Sequence, residues 1–180
     1  MSAITERRSI RKYKDTPVAK DRILTLLEAA RLAPSGNNTQ PWRFLVVTDE
    51  EKKKAIVHAE HDQQWMLTAP VFIAVLADLG ARTAEPLGEP LNEQASSNAV
   101  KLILRDAAIA VTHILLAAEK EGLGTCWTGF YKQEEMRAVL GVPETFWVSG
   151  IVTVGVADET PAMRPRKPLE ELVCFETWDK

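Results

Sequence analysis

The sequence is poor in the features that announce several common chemistries. Its 180 residues contain two cysteines, Cys126 and Cys174, too few for a disulfide framework or a cysteine-based metal centre. The three histidines, His58, His61 and His113, have no cysteine or carboxylate at ligand spacing. His58 and His61 are expected on a solvated helix, and His113 as a satisfied residue of an apolar one. Cys126 has no histidine partner that would make it a nucleophile. The glycine-rich stretch "GLGTCWTG" is not G-x-G-x-x-G, and no P-loop pattern occurs, so neither dinucleotide nor nucleoside-triphosphate fingerprints are present. A net charge of -3 gives no overall basic field for nucleic acid or anionic membrane. Apolar runs stay below the roughly 20 residues of a membrane span. The opening "MSAITERRSIRKYKD" lacks the apolar core of a signal peptide. These absences predict a reducing, cytoplasmic location, and chemistry carried by a bound cofactor rather than by side chains alone.

The rest of the composition is that of a folded chain: 46% hydrophobic and 26% charged, a balance that argues against disorder. Length predicts one domain spanning 1–180. "TERRSI" reads as a short helix capped by Thr5. A second helix is expected from a cap at Asp15 or Thr16, with Pro17 in its first turn and an inward stripe of Ile23, Leu26, Leu27, Ala30 and Ala33. "RFLVVTD" alternates like a strand, and "APVFIAVLAD" is apolar throughout, as a strand covered on both faces would be. Residues 49–67 read as one polar helix between them. "LGARTAEPLGEPLNEQASS" is rich in breakers and reads as a mobile loop or lid. The longest helix follows, apolar on nearly every side, as at a domain centre or subunit interface. Then come a short strand or turn in "TCWTGFY", a helix in "KQEEMRAVLGV" and a glycine-bearing strand in "FWVSGIVTVGVAD". The pattern is α+β or α/β, one layer of few strands covered by helices.

Two basic clusters stand near opposite ends. In "ERRSIRKYK", Arg7, Arg8, Ser9 and Arg11 could offer guanidinium groups and a hydroxyl to a phosphate. In "RPRKP", Arg164 and Arg166 stand between prolines that restrict the chain. A chain without nucleic-acid character but with two such clusters invites one shared anion. Between them, "PSGNNTQPW" carries Ser35, Asn38 and Gln40, side chains that both donate and accept, as a polar ring or sugar-alcohol chain requires.

In order, "ERRSIRKYKDTPV", "EAARLAPSGNNTQPWRF", "RDAAIAVTHILLAAEKEGLGTCWTGF" and "RPRKPLEEL" resemble the FMN-dependent nitroreductase family, over nearly the whole chain. The resemblance implies an α+β fold, a mixed sheet wrapped by helices, in an intertwined homodimer with FMN at the interface. It implies that Arg7, Arg8, Ser9 and Arg11 form the N-terminal FMN motif, in which the Arg7–Ser9 stretch holds the phosphate, ribityl and pyrimidine edge. It implies that Pro34, Ser35 and Gly36 form the turn a partner subunit lays against the flavin, with Asn38 and Gln40 in the same loop. Trp127, Thr128 and Gly129 match the segment passing flavin N5, and Arg164 and Arg166 the pair closing on the phosphate. The asparagine and lysine that larger relatives place before the second buried strand are absent from "HDQQWML". The implied activity is ping-pong hydride transfer from NAD(P)H through FMN to a small electron-poor acceptor such as a nitroaromatic or quinone. A flavin reductase, enone reductase, dehalogenase or non-catalytic flavin-binding module is the alternative. No metal, nucleic acid or membrane partner is expected.

Overall fold

The computed structural model of the protein describes residues 2–85 and 87–178. The apolar run "VFIAVLAD" forms β2 (Val71–Asp78), buried along almost its whole length. β1 (Trp42–Val47) pairs with one edge of β2, Phe44 opposite Val75. β4 (Phe146–Gly155) pairs with the other edge, Ile73 opposite Val152, and β3 (Gly124–Thr128) lies outside β4. The order is therefore β1-β2-β4-β3. Among the described residues each ladder is antiparallel, and the parallel component is a single bridge between Ser9 and Thr125.

Successive residues of β2 point to opposite faces, which is why a continuous apolar run suits it. Ile73 and Val75 meet α2 (Lys20–Arg31) and α4 (Asn98–Lys120) through Leu26, Ile103, Ala107 and Ile114. Phe72 and Ala74 meet α3 (Glu50–Ala59) and α5 (Gln133–Leu140) through Ile56, Val57 and Met136. This is the α+β architecture expected. α4 buries Val100, Ile103, Ala107, Val111, Ile114 and Ala118 along one stripe, while Leu104, Ile109 and Leu115 are half-covered beside it. His113 is satisfied, its Nδ1 2.9 Å from the Ala29 carbonyl.

Three local expectations are corrected. α1 is Ser2–Glu6, so Thr5 lies inside it, and "RRSI" is extended because Ser9 and Ile10 bond to β3. α2 starts at Lys20 rather than near Thr16, because Lys14 N–H is bonded to the Val156 carbonyl and holds residues 14–16 against the sheet. The expected helix over 49–67 breaks after Ala59 at His61 and Asp62, both with φ of 57°, and resumes as a 3-10 turn at Gln64–Thr68. The segment 79–97, expected as a mobile loop or lid, is tied in the middle: Arg137 donates to the Leu91 carbonyl at 2.7 Å, and Glu89 accepts the Ser96 and Ser97 amides. Close backbone approach is real at Gly150, where a Cβ would lie 1.9 Å from Trp127 Nε1.

Candidate functional site

Residues 7–14 form an extended strip sewn to the sheet. Ile10 N–H donates to the Thr125 carbonyl at 2.9 Å, and Lys14 N–H to the Val156 carbonyl at 2.9 Å. In an extended chain alternate side chains share a side, so Arg7, Ser9 and Arg11 line up while Ile10 packs inward. The chain returns beside this strip: Arg11 N–H donates to the Glu159 carboxylate. Arg7, Arg8, Ser9, Arg11, Arg164 and Arg166, with Glu159 and Met163, then line one cavity of about 380 Å³. Five guanidinium groups against one carboxylate make it attractive to an anion.

The arginines are not equivalent. Arg8 Nη1 donates to the carbonyls of Thr5, Glu6 and Arg7 at 2.8–2.9 Å, so it caps the end of α1 as well as bordering the cavity. Arg11 also lies over Trp65, 5.7 Å from the ring centroid. Arg166 Nη1 donates to the Arg164 carbonyl at 3.0 Å, which ties the two tail arginines together. Behind the strip, burial pushes the Cys126 thiol up, the opposite of an activated nucleophile.

Trp127 and Thr128 end β3, the strand that carries the strip, and Gly129 follows it. Trp127 Nε1 donates to the Ser149 carbonyl at 3.2 Å and the residue remains 42% exposed. Thr128 is engaged by a group the sequence did not point to, Glu60. Glu60 is fully buried and its Oε2 accepts from Thr128 Oγ1 at 2.8 Å, Phe130 N at 3.0 Å and Gln63 Nε2 at 3.0 Å. Burial pushes its carboxyl above the usual range, against the pull of these donors. His58 sits on the solvated helix as expected; His61 is exposed too but lies past the end of α3 and stacks on Phe130 with centroids 4.2 Å apart. The break at His61 has no glycine or proline to announce it.

Pro34, Ser35, Gly36, Asn38 and Gln40 do not join the arginine cavity. Their turn follows α2 and leads into β1, at the opposite edge of the sheet from β3 and its strip, and Thr39 and Gln40 border a separate hollow with Leu27, Trp42 and Phe44. Trp42 itself is a core residue. Gly36 N–H donates to the Asp106 carboxylate at 3.2 Å and its carbonyl accepts from Arg82 Nη1 at 2.7 Å. Asn37, Asn38 and Gln40 all have positive φ, 53°, 55° and 48°. Among the described residues, no group of three His, Cys, Asp or Glu side chains converges as a metal site. No helix there is long and apolar enough to cross a membrane.

An anion cradle built from both ends of the chain, beside a four-strand antiparallel sheet, defines a class of cofactor-binding fold. Known proteins narrow it. A sequence model described as the Nitroreductase family matches residues 4–156, and the chain belongs to that family. The FMN reductase (NAD(P)H) of Bacillus subtilis is 34% identical, over 99% of this chain and 74% of its own. The NADH dehydrogenase of Thermus thermophilus is 32% identical, over 97% of this chain and 94% of its own. The structure of an FMN-dependent nitroreductase from Clostridium difficile superposes with a TM-score of 0.79 at 28% identity, covering 98% of this chain and 99% of that one.

Proposed function

We propose that this protein is an FMN-dependent NAD(P)H oxidoreductase that works as a homodimer in the cytoplasm. The observation that carries this reading is the convergence of Arg7, Arg8, Ser9, Arg11, Arg164 and Arg166 on one cavity in a chain of net negative charge. The donor set fits FMN. Guanidinium groups match the phosphate, and Ser9 offers a hydroxyl to the ribityl chain. Trp127 offers an exposed aromatic face at the end of β3, where Thr128 and Gly129 would border the ring. Bound there, FMN supplies the redox chemistry, alternately taking a hydride from NAD(P)H and passing electrons to a small electron-poor acceptor such as a nitroaromatic or quinone. The arginines neutralise the cofactor's charge, and the amides of Asn38 and Gln40 bond its polar edge.

Dimerisation is supported by two features. The turn at Pro34–Gln40 stands apart from the arginine cavity, so one chain cannot bring both to one flavin without a second copy. The tail after Glu159 also leaves Leu169, Phe175 and Trp178 at least 71% exposed, apolar surface that calls for cover. A second reading keeps the site and takes free flavin as the acceptor, favoured by the name of the Bacillus subtilis relative. In one experiment, the purified protein takes up FMN, sediments as a dimer and bleaches with NADH or NADPH under nitrogen; an acceptor panel of nitroaromatics, quinones and free flavin then ranks the substrates. A colourless protein that binds no FMN overturns the proposal.

A further inference from the structure

The corner that follows α3 is built at a cost that packing alone does not explain. His61 and Asp62 both adopt left-handed backbone with φ of 57°, which costs non-glycine residues about 1 kcal/mol or more each. Glu60 is fully buried, no lysine or arginine pairs with it among the described residues, and its Oε1 has no hydrogen-bond partner. A glutamine or an apolar side chain would fill that space without a buried charge.

What the corner gains is a grip on two residues, Thr128 and Phe130. Glu60 Oε2 accepts from both Thr128 Oγ1 and Phe130 N, at 2.8 and 3.0 Å. Gln63 Nε2 donates to Glu60 at 3.0 Å and to Thr128 Oγ1 at 3.2 Å. His61 Nδ1 lies 2.7 Å from the Phe130 carbonyl, which can only accept, so this nitrogen carries the proton. Between the two gripped residues, Gly129 faces open space: a Cβ built on it meets no heavy atom within 4 Å.

We infer that Glu60, seated by the His61–Asp62 corner, is a positioning residue that fixes the open backbone at Gly129 against the edge of the cofactor. The inference rests on the flavin reading above and adds to it a residue that touches no flavin. Glu60 acts through Thr128 and Phe130: one carboxylate oxygen holds both flanks of Gly129, so the segment cannot shift along β3 without losing two hydrogen bonds together.

The test compares Glu60→Ala, Glu60→Gln and His61→Ala with wild type. It reads backbone hydrogen exchange at Phe130 in the apoprotein and FMN affinity by fluorescence quenching. In Glu60→Ala, Phe130 protection falls about tenfold more than protection in β2 and β4, and the FMN Kd rises about tenfold. Glu60→Gln, which keeps an accepting oxygen, restores most of both. If Glu60→Ala does not fold, the exposed His61→Ala carries the same measurement, with a change of roughly threefold. Phe130 protection that falls only in step with the whole sheet overturns the inference, as does an FMN Kd within twofold of wild type in the variant measured. A wild-type chain that takes up no FMN overturns the flavin reading and the positioning role with it. Wild type binding FMN no more tightly than Glu60→Ala overturns the positioning role alone.

Discussion

The segment at 128–130 and the turn at 34–40 both carry groups proposed to face the flavin, and they are held in opposite ways. The first is gripped from within the chain by a buried carboxylate, the Gln63 amide and the stacked ring of His61. The second is held at Gly36, between Asp106 and Arg82, and by short contacts within the turn such as Gln40 N–H to Ser35 Oγ. Its remaining order is written into three left-handed non-glycine residues. One chain finishes the first loop. It leaves the second pre-shaped and open, with Asn38 and Gln40 exposed.

The sharpest way to break this contrast is to empty the interior anchor. Glu60→Ala leaves the Phe130 amide without its acceptor and a cavity beside it, so unfolding stability should drop by about 2–4 kcal/mol in urea titration. The pH dependence has a definite sign. Burial raises the Glu60 carboxyl above the ordinary value of about 4.3, so in that window the folded chain keeps a proton that the unfolded chain has released. Stability therefore falls as pH rises from the ordinary value through the raised one, then levels off. In Glu60→Gln this contribution is absent, so the stability difference between variant and wild type should change over that window in the variant's favour. A difference that is flat with pH would remove the buried charge from the account.

The two loops also differ in how far they can be read from residues alone. The apolar period of β2, the stripe of α2 and the arginines at both ends are local patterns, and each survived into the structure with its partners. The turn at 34–40 was legible because its side chains are unusual for a connection. The anchor at Glu60 was not. A glutamate at the end of a polar helix has no local mark of burial, and what buries it is β3, more than 60 residues away in sequence. The break at His61 was hidden for a related reason: it carries no glycine or proline, and the tertiary contacts of Phe130 add to the local bonds His61 N–H to His58 and Asp62 N–H to Val57 that close the helix there. The false extension of "RRSI" into a helix has the same origin, since pairing with Thr125 outweighed local helix propensity.

A smaller effect tests the other side of the contrast. Arg82 reaches from the lid segment to the Gly36 carbonyl, and its guanidinium lies where a Cβ on Gly36 would sit, 3.0 Å away. Arg82→Ala removes one charge-assisted hydrogen bond at a partly buried site, so stability should fall by only about 1 kcal/mol. Its functional effect should be the larger one. The turn loses its link to the lid, and KM for the acceptor should rise several-fold while FMN affinity changes less. Equal losses in KM and FMN affinity would mean that the turn and the lid are not separately held.

The smallest expected effect has the opposite sign. Gln40 has φ of 48°, a conformation that costs a residue with a Cβ roughly 1 kcal/mol and costs glycine little. Gln40→Gly relieves that strain and forfeits one exposed side-chain bond to the Asn38 carbonyl at 3.3 Å, but it also widens the unfolded ensemble. These terms nearly cancel, so the apoprotein should be unchanged or more stable by up to about 0.5 kcal/mol. If the turn is shaped for a flavin across a subunit interface, the same variant should weaken FMN binding in the dimer despite that stability. A loop whose strain serves only the single chain would leave FMN binding unchanged at the same apoprotein stability, so FMN titration of the dimer, beside urea titration of the apoprotein, decides which chain the turn serves.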